Sequence, residues 1–450
     1  MVGIGGSGMS GIAEVLVNLG YPVSGSDLAS SPATRRLKKL GATVHRGHKS
    51  QHVHRADVVV VSSAVKADNP EVIEARRLKI PVIPRAEMLA ELMRMKYAIA
   101  VAGAHGKTTT TAMIAEALTR GRLDPTVVIG GRVGKLRSGA KLGNGEFMVA
   151  EADESDRSFL KMKPTIAVVT NINREHLDQY RDLGDIQDTF VQFLSRIPFY
   201  GAAVVCLDDP NVRAILPRVD RKLIRYGLGT DADVMAGDVQ VEGFHSSYVA
   251  HFQGRQLGRV ELSLPGRHLI YNSLAAVAVG LELDVPFETI AQALEKFKGV
   301  DRRMQRRGTA FGATVIDDYG HHPTEIAATL AAIREGFGAP TIVVFQPHRY
   351  TRSKALLEEF GGAFFLADRV IVTDIYAAGE QPIPGIDGES VAQALVRHGH
   401  PDVTYVASKD EIPALLRERI SAGDILLTLG AGDVWKVGAE LIRLAPRRVS

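Results

Sequence analysis

Short apolar runs alternate with amphipathic segments along most of the chain. Runs such as Asp57–Ser62, Tyr97–Ala102 and Ile166–Asn171 have the length and composition of strands that are buried on both faces of a sheet. Stretches between such runs, for example Lys107–Arg120, carry apolar residues at helical spacing. This alternation of strands and helices predicts an α/β fold with largely parallel sheets.

Changes in this rhythm divide the chain into three predicted domains, 1–96, 97–298 and 299–450. Residues 233–264 change to period-two alternation with turn residues, which predicts an antiparallel meander inserted in the second α/β core. The first apolar run, Met1–Ile4, is shorter than the roughly five residues of an average buried strand. A natural chain is therefore expected to begin several residues earlier.

Composition supports a globular protein and excludes several other classes. Hydrophobic residues make up 45% of the 450 positions and charged residues 23%, which is enough apolar material for several cores. The net charge of +3 is too small for a dedicated nucleic-acid binder. A single cysteine, Cys206, fits a reducing compartment. No apolar run reaches the roughly 18 residues that span a bilayer, so we expect a cytoplasmic protein.

The first motif that indicates chemistry is G-x-G-x-x-G at residues 3–8, between a predicted strand and a predicted helix. Glycines allow a diphosphate to approach the backbone closely, and a helix N-terminus stabilises its charge. Asp27, about 20 residues later, could meet a ribose hydroxyl. The pattern predicts a site for NAD or another nucleotide diphosphate, although a glycine-rich turn without a ligand would give the same pattern.

A second glycine-rich motif, G-A-H-G-K-T-T at residues 103–109, also joins a predicted strand to a predicted helix. Backbone N–H groups of such a loop cradle phosphates, the Lys107 ammonium neutralises the β- and γ-phosphates, and the Thr108 hydroxyl ligates Mg²⁺. Val101 stands where the standard P-loop has its first glycine, so the loop is a shortened variant. The motif predicts binding of a nucleoside triphosphate.

Acidic residues and a histidine follow two further buried strands. Glu151 opens the acidic stretch E-A-D-E-S-D at 151–156, and His176 lies in the stretch 171–178. Parallel α/β sheets bind ligands at the carboxyl ends of their strands. Beside a phosphate-binding loop, Glu151 and His176 therefore predict a metal site. A solvated acidic loop and a structural histidine are the alternative interpretation.

The third domain carries two polar clusters, D-D-Y-G-H-H-P-T-E at 317–325 and F-Q-P-H-R-Y-T-R at 345–352. Each cluster follows a predicted strand, so we expect both to line one crevice. Arg349 and Arg352 are suited to clamp a carboxylate or a phosphate by paired hydrogen bonds. The alternative roles of the histidine pair at 321–322 are helix capping and packing.

Together these motifs resemble the Mur ligase family over essentially the whole chain, and S-S-A-V at 62–65 and P-R-A-E-M-L at 84–89 fit it as well. The resemblance implies a Rossmann-like N-terminal domain for a UDP-sugar and a P-loop ATPase central domain with a mostly parallel sheet and a small antiparallel meander. It also implies a Rossmann-like C-terminal domain for the amino acid. The nearest member joins L-alanine to the lactyl carboxylate of UDP-N-acetylmuramate with ATP, through an acyl phosphate, in peptidoglycan precursor synthesis.

The resemblance also implies roles for individual residues. The catalytic residues would be Lys107, His176, His321 and Arg349, with His321 acting as a base or positioning the amine. ATP would contact Gly103, Ala104, His105, Gly106, Lys107, Thr108, Thr109, His268, Asn272 and Arg302. Mg²⁺, for which Mn²⁺ can substitute, would bind Thr108, Glu151 and His176. The UDP-sugar would contact Gly5, Gly6, Ser7, Gly8, Met9 and Asp27. L-Alanine would contact Tyr319, His321, Arg349 and Arg352.

Two residues depart from the usual family pattern, and a third feature distinguishes one group of family members from another. Ala104 stands where Thr or Ser is more common, and Leu269 stands where the adenine motif usually has an asparagine. No lysine lies between Lys163 and Lys222, the stretch in which several later-acting relatives carry a carbamoylated lysine that holds metal. That absence fits the alanine-adding member.

Three other functions fit parts of the pattern. A murein-peptide ligase would attach a tripeptide to the same nucleotide sugar, but the motif at 317–325 favours alanine. An NAD-dependent oxidoreductase would explain only the motif at 3–8, and a non-catalytic scaffold would not require Lys107 and Thr108. We expect no nucleic-acid or membrane partner, and a monomer or weak homodimer.

Overall fold

The computed structural model describes residues 1–62, 64–129, 139–175 and 179–446. The chain forms two compact units. The first comprises Met1–Val239, Tyr248–Glu261 and Ile270–Val300, and the second comprises Gln240–Ser247, Leu262–Leu269 and Asp301–Ser450. Within the described ranges, no helix combines the length and the apolar character that crossing a bilayer requires.

The N-terminal part of the first unit is a parallel α/β layer. Its elements are α1 (Ser7–Asn18), β1 (Ser24–Asp27), α2 (Pro32–Lys39), β2 (Thr43–Arg46), β3 (Val59–Val61), α3 (Pro70–Arg77), β4 (Val82–Pro84) and α4 (Arg85–Arg94). Strand β1 pairs with β2 and β3 with β4, all in parallel. Val2 forms parallel bridges to both Ser26 and Val61 and so joins the two pairs.

Two expectations for this layer need correction. The strand predicted at Met1–Ile4 consists of the Val2 bridges alone. The apolar run at Tyr21–Ser24 predicts the next strand at those residues, and this prediction is wrong because β1 begins only at Ser24. The Tyr21 N–H still donates to the carbonyl of Leu16 in α1, at 3.0 Å, and this turn delays the start of the strand.

The rest of the first unit is built on a large sheet. Its elements begin with β5 (Tyr97–Ala102), α5 (Lys107–Arg120), β6 (Thr126–Val128), β7 (Ala140–Lys141), β8 (Phe147–Glu151), β9 (Ile166–Val169), α6 (Leu183–Leu194) and β10 (Ala202–Cys206). They continue with α7 (Pro210–Ile215), β11 (Lys222–Gly227), β12 (Val234–Glu242), β13 (His245–Phe252), β14 (Arg255–Leu262), α8 (Arg267–Glu282) and α9 (Phe287–Lys296). Residues 240–247 and 262–269 of these elements are counted with the second unit. The strand order is β14-β13-β12-β11-β10-β9-β5-β8-β6-β7.

The middle of this sheet is parallel and buried, as the continuous apolar runs predict. Strands β6, β8, β5, β9, β10 and β11 pair in parallel, and every residue of β9 and β10 is buried. Two-residue turns join β12 to β13 and β13 to β14, a connection that only antiparallel neighbours allow. The predicted meander is therefore confirmed.

The second unit contains a six-stranded sheet. Its elements are β15 (Gln305–Ala310), β16 (Ala313–Asp318), α10 (Pro323–Phe337), β17 (Thr341–Phe345), α11 (Tyr350–Ala355), α12 (Leu357–Ala363), β18 (Arg369–Val372), α13 (Gly388–Arg397), β19 (Val403–Tyr405), α14 (Ile412–Arg419), β20 (Ile425–Leu429) and α15 (Trp435–Leu444). The strand order is β15-β16-β20-β17-β18-β19. Only β15, an edge strand that the sequence analysis missed, pairs in the antiparallel sense among these strands.

Alternating residues of this sheet enter two separate cores. Ile316, Val343 and Leu427 pack in one apolar cluster, whereas their neighbours Val315 and Leu426 pack in another. Each strand therefore buries both faces, as parallel α/β sheets do. The carboxyl ends of β16, β20 and β17 lie side by side at one edge, where the two polar clusters of this unit begin.

Candidate active site

A tight loop between β5 and α5 forms the phosphate-binding motif of the first unit. Gly103 has φ +132° and Gly106 φ +81°, values that L-residues rarely adopt. A Cβ on Gly103 would lie 2.1 Å from the Thr170 hydroxyl, and one on Gly106 would lie 2.7 Å from Asn272 Oδ1. Both positions therefore require glycine, and Asn272 lies beside the loop.

Thr170 and Asn171, which directly follow β9, hold this loop through hydrogen bonds. Asn171 Oδ1 accepts the His105 N–H at 2.8 Å, and its Nδ2 donates to the His105 carbonyl at 3.1 Å. The Thr170 hydroxyl donates to the same carbonyl at 2.7 Å, and the Asn171 carbonyl accepts the Ala104 N–H at 3.1 Å. The loop is thus held before any phosphate binds, although the sequence analysis assigned no role to Thr170 or Asn171.

Lys107, the first residue of α5, directs its ammonium back into the loop. Its Nζ donates to the carbonyls of Gly103 and Ala104 at 2.6 and 3.2 Å, and to Glu154 Oε1 at 2.7 Å. Burial alone would lower the pKa of Lys107, but the charges of Glu154 and neighbouring acids outweigh burial and raise it. The ammonium is therefore a fixed positive charge at the position where phosphates are expected.

Glu154 is the acidic residue of the motif at 151–156 that reaches Lys107. Its side chain is 5% exposed, and burial raises its pKa to about 7, against the opposing effect of Lys107. Glu151, the predicted metal ligand, pairs with Val101 in the β5–β8 register. The sequence shows two glutamates three residues apart, and only the folded structure shows that Glu154 is the one that binds Lys107.

The residues predicted to hold Mg²⁺ can be placed in part. The Thr108 hydroxyl is in the first turn of α5, and Glu151 is the last residue of β8. His176 lies outside the described residues. Hydroxyl and carboxylate oxygens are ligands that Mg²⁺ prefers, so Thr108 and Glu151 fit a magnesium ion chemically. Glu154 is bound to Lys107, and Thr109 is buried.

The other predicted ATP contacts fall in the second unit. Burial lowers the pKa of His268 to about 4, with Arg303 adding to the decrease, so the imidazole is neutral near pH 7. The Arg302 guanidinium binds the Asp317 carboxylate at 3.1 Å and the carbonyls of Gly430 and Gly432 at 2.6 and 2.9 Å. Arg302 therefore ties β16 to the loop after β20, and its contact with a nucleotide stays a prediction.

The N-terminal glycine motif begins α1, with Gly6 as the residue before the helix. Asp27 Oδ2 accepts the Gly5 N–H at 2.8 Å, so in this structure the carboxylate fixes the glycine turn. The Met9 side chain is buried, and its contact with a UDP-sugar stays a prediction. The Ser7 side chain lies outside the described residues.

Arg85, at the start of α4, connects this turn to the acidic motif and was missed by the sequence analysis. A Cβ on Gly8 would lie 2.6 Å from Arg85 Nη1, so the guanidinium lies against the first turn of α1. Its Nη2 contacts Asp153 Oδ2 at 3.2 Å. The guanidinium thus places positive charge at the turn predicted to hold a diphosphate.

Aromatic and imidazole rings gather at the strand ends of the second unit. The His321 ring lies 5.6 Å from Tyr319 and 5.7 Å from His348, and His348 stacks on Tyr376. Arg352 Nη1 lies 3.1 Å from His348 Nδ1. The polar clusters after β16 and β17 therefore meet as expected, although β20 separates the two strands.

The electrostatics of this group keep its imidazoles neutral. Burial lowers the pKa of His321 to about 4 and that of His348 to about 3, and Arg352 adds to both decreases. Arg349 is exposed and has φ +69° and ψ 137°. The site thus combines two guanidinium groups for an anion with neutral imidazoles that can form hydrogen bonds without adding charge.

Comparison with known proteins identifies similar sequences along the whole chain. Three family models match: Mur ligase family, catalytic domain, at residues 1–97; Mur ligase middle domain at 101–280; and Mur ligase, glutamate ligase domain, at 302–432. A UDP-N-acetylmuramate–L-alanine ligase of Geobacter sp. (strain M21) is 58% identical over 98% of this chain and 96% of that protein.

Solved structures agree with these sequence matches. The UDP-N-acetylmuramate-alanine ligase of Thermotoga maritima superposes with a TM-score of 0.82 at 29% identity, covering 98% of this chain and 97% of that one. A murein peptide ligase of Psychrobacter arcticus 273-4 gives 0.72 at 24% identity, covering 100% and 98% of the two chains, which shows a shared fold.

Proposed function

Because this chain belongs to the Mur ligase family, we propose that it is an ATP-dependent ligase that joins L-alanine to the lactyl carboxylate of UDP-N-acetylmuramate. The observation that carries the proposal is the 58% identity over 98% of the chain to a ligase of that name. An acyl phosphate would link the two half-reactions. ATP and a UDP-sugar as substrates place the proposed reaction in the cytoplasm.

At the phosphate end, this chain supplies a preformed loop and one fixed cation. The substrate carboxylate and the ATP phosphates repel each other, so their approach requires positive charge at the point of transfer. Lys107 provides that charge, while the bracing by Asn171 holds the loop N–H groups. Thr108, Glu151 and His176 would hold Mg²⁺, which when bound neutralises further phosphate charge.

At the amino-acid end, Arg349 and Arg352 would bind the carboxylate of L-alanine. A guanidinium pairs with a planar carboxylate through two parallel hydrogen bonds. His321 is neutral near pH 7 because burial lowers its pKa to about 4, so it would position the attacking amine as an uncharged hydrogen-bonding partner, being too weak a base to take up its proton efficiently. The domain boundaries at residues 96 and 298 and the oligomeric state stay predictions.

Phosphate release tests this function directly. Purified protein with ATP, Mg²⁺ and UDP-N-acetylmuramate should release phosphate steadily only after L-alanine is added, and mass spectrometry should find the alanyl product. The Lys107→Ala variant serves as the blank for contaminating ATPases. Release with L-alanyl-γ-D-glutamyl-diaminopimelate but not with alanine would identify a murein-peptide ligase instead, and release with neither would contradict both.

A further inference from the structure

A short segment of the second unit, Tyr376–Glu380, packs against the loop that carries Arg349. The Tyr376 N–H donates to the Pro347 carbonyl at 2.8 Å, and the Arg349 N–H donates to the Tyr376 carbonyl at 2.9 Å. The Tyr376 ring stacks on His348 with an interplanar angle of 8°. These contacts fasten Arg349 and the two residues before it to one neighbouring segment.

Arg349 needs such support because its backbone is strained. Its φ of +69° with ψ 137° belongs to a region that residues other than glycine rarely occupy. Strain of this kind persists only where surrounding contacts fix it. The Arg349 N–H bond to Tyr376 is one of these contacts.

Glu380 supplies another contact at the start of α11. Its carboxylate accepts the Thr351 N–H at 3.0 Å and the Thr351 hydroxyl at 2.7 Å. Arg349 is the N-cap residue of α11 and makes no side-chain cap of its own. Glu380 therefore caps this helix from another segment, and a negative charge is favourable at a helix N-terminus. Because Thr351 lies two residues after Arg349, these bonds fix the first turn that follows the strained residue.

We propose that Glu380 is a positioning residue for amino-acid binding, which holds Arg349 and Arg352 in the arrangement that receives the substrate carboxylate. This inference rests on the proposed function. Glu380 acts through α11: Arg349 precedes the helix and Arg352 is in its first turn, so both guanidinium groups depend on the orientation of that turn. Glu380 itself need not touch the substrate.

The test is steady-state kinetics with each of the three substrates varied in turn. Glu380→Ala should raise the KM for L-alanine about tenfold, the size of effect that loss of a helix cap allows. The KM values for ATP and UDP-N-acetylmuramate should change less than about twofold, because no contact in the first unit is altered. Glu389→Ala, which removes an exposed carboxylate from the first turn of α13, is the matched control and should leave all three values unchanged.

A double variant separates positioning from general destabilisation. If Glu380 acts through Arg349 and Arg352, Glu380→Ala should raise the KM for L-alanine by a smaller factor in the Arg349→Ala background than in the wild type, because only the effect through Arg352 remains. A KM for L-alanine that rises in the double variant by the full product of the two single-variant increases would overturn the inference. An unchanged KM for L-alanine in a folded Glu380→Ala protein would overturn it as well, and so would equal increases for all three substrates.

Variants of Thr351 test the inference even if the Glu380→Ala protein does not fold. Thr351→Val removes the hydroxyl that binds Glu380 but keeps the shape, and should raise the KM for L-alanine. Thr351→Ser restores a hydroxyl and should return it to near the wild-type value, whereas equal values for the two variants would contradict the inference. A wild-type protein that releases no phosphate with L-alanine overturns the proposed function itself, and this inference with it.

Discussion

The Lys107 ammonium and the Glu154 carboxylate form an ion pair at 2.7 Å, with side chains 20% and 5% exposed. The carboxylate keeps the ammonium inside the phosphate loop, so little reorganisation is needed when phosphate charge develops there. The pair also means that ATP must compete with Glu154 for the same cation. Removing either partner therefore has two consequences, one for catalysis and one for stability.

Lys107→Ala should lower kcat by about two orders of magnitude or more, because one lost donor to a transferring group typically costs that much. Lys163→Ala, an exposed lysine of the same unit, should have no effect. The measurement is phosphate release at saturating substrates. Near-normal turnover in Lys107→Ala would contradict the phosphate role.

The same substitution should lower the melting temperature, because it leaves Glu154 buried without its cation. The double variant Lys107→Ala/Glu154→Gln removes the buried charge, so its melting temperature should recover towards that of the wild type. Its turnover should stay low, because the cation for the phosphate is still absent. Recovery of both properties together would show that Lys107 is only structural.

Elements that are defined by local pattern were predicted well from the sequence. The bounds of α5 and β5 agree with the expected Lys107–Arg120 and Tyr97–Ala102, because an amphipathic helix and a buried parallel strand carry their signal in adjacent residues. The antiparallel edge strand β15 was missed, because an edge strand with three polar or charged residues among its first three positions has no apolar signature. Strand order, which places β20 between β16 and β17, has no local signal at all.

The candidate site shows the same division. The glycines, Lys107 and the arginines could be recognised because chemistry dictates their residue type and spacing. Asn171, Arg85 and Glu380 could not, since each acts on a segment that is distant in sequence. Their roles depend on which strand ends become neighbours, and only the folded chain contains that information.

Asp27 should matter for the nucleotide sugar because it fixes the Gly5 N–H. Asp27→Ala should raise the KM for UDP-N-acetylmuramate about tenfold, since a charge-assisted hydrogen bond contributes about 1.5–3 kcal/mol. The KM for L-alanine should not change. Asp57→Ala, an exposed aspartate of the same layer, is the control. Equal KM values for the nucleotide sugar in both variants would exclude the role of Asp27.

Arg349→Ala should mainly raise the KM for L-alanine, by about 10- to 100-fold, because a lost ionic hydrogen bond to a carboxylate costs about 1.5–3 kcal/mol. Arg349→Lys should recover only part of this effect, since lysine cannot make the bidentate contact. Initial rates at several alanine concentrations provide the comparison. An unaltered KM for L-alanine in Arg349→Ala would contradict the proposed role of Arg349 in binding the carboxylate.

The pH dependence of kcat/KM for L-alanine tests the state of His321. Burial lowers its pKa to about 4, so the imidazole is already neutral above about pH 5 and gains no further activity as the pH rises. The attacking amine must lose a proton, so log(kcat/KM) should increase with about unit slope between about pH 6 and 8. A histidine of ordinary pKa would add a second bend near about 6.5. Such a bend in the wild type, lost in His321→Gln but kept in the exposed-residue control His54→Gln, would contradict the buried, neutral His321 that the structure shows.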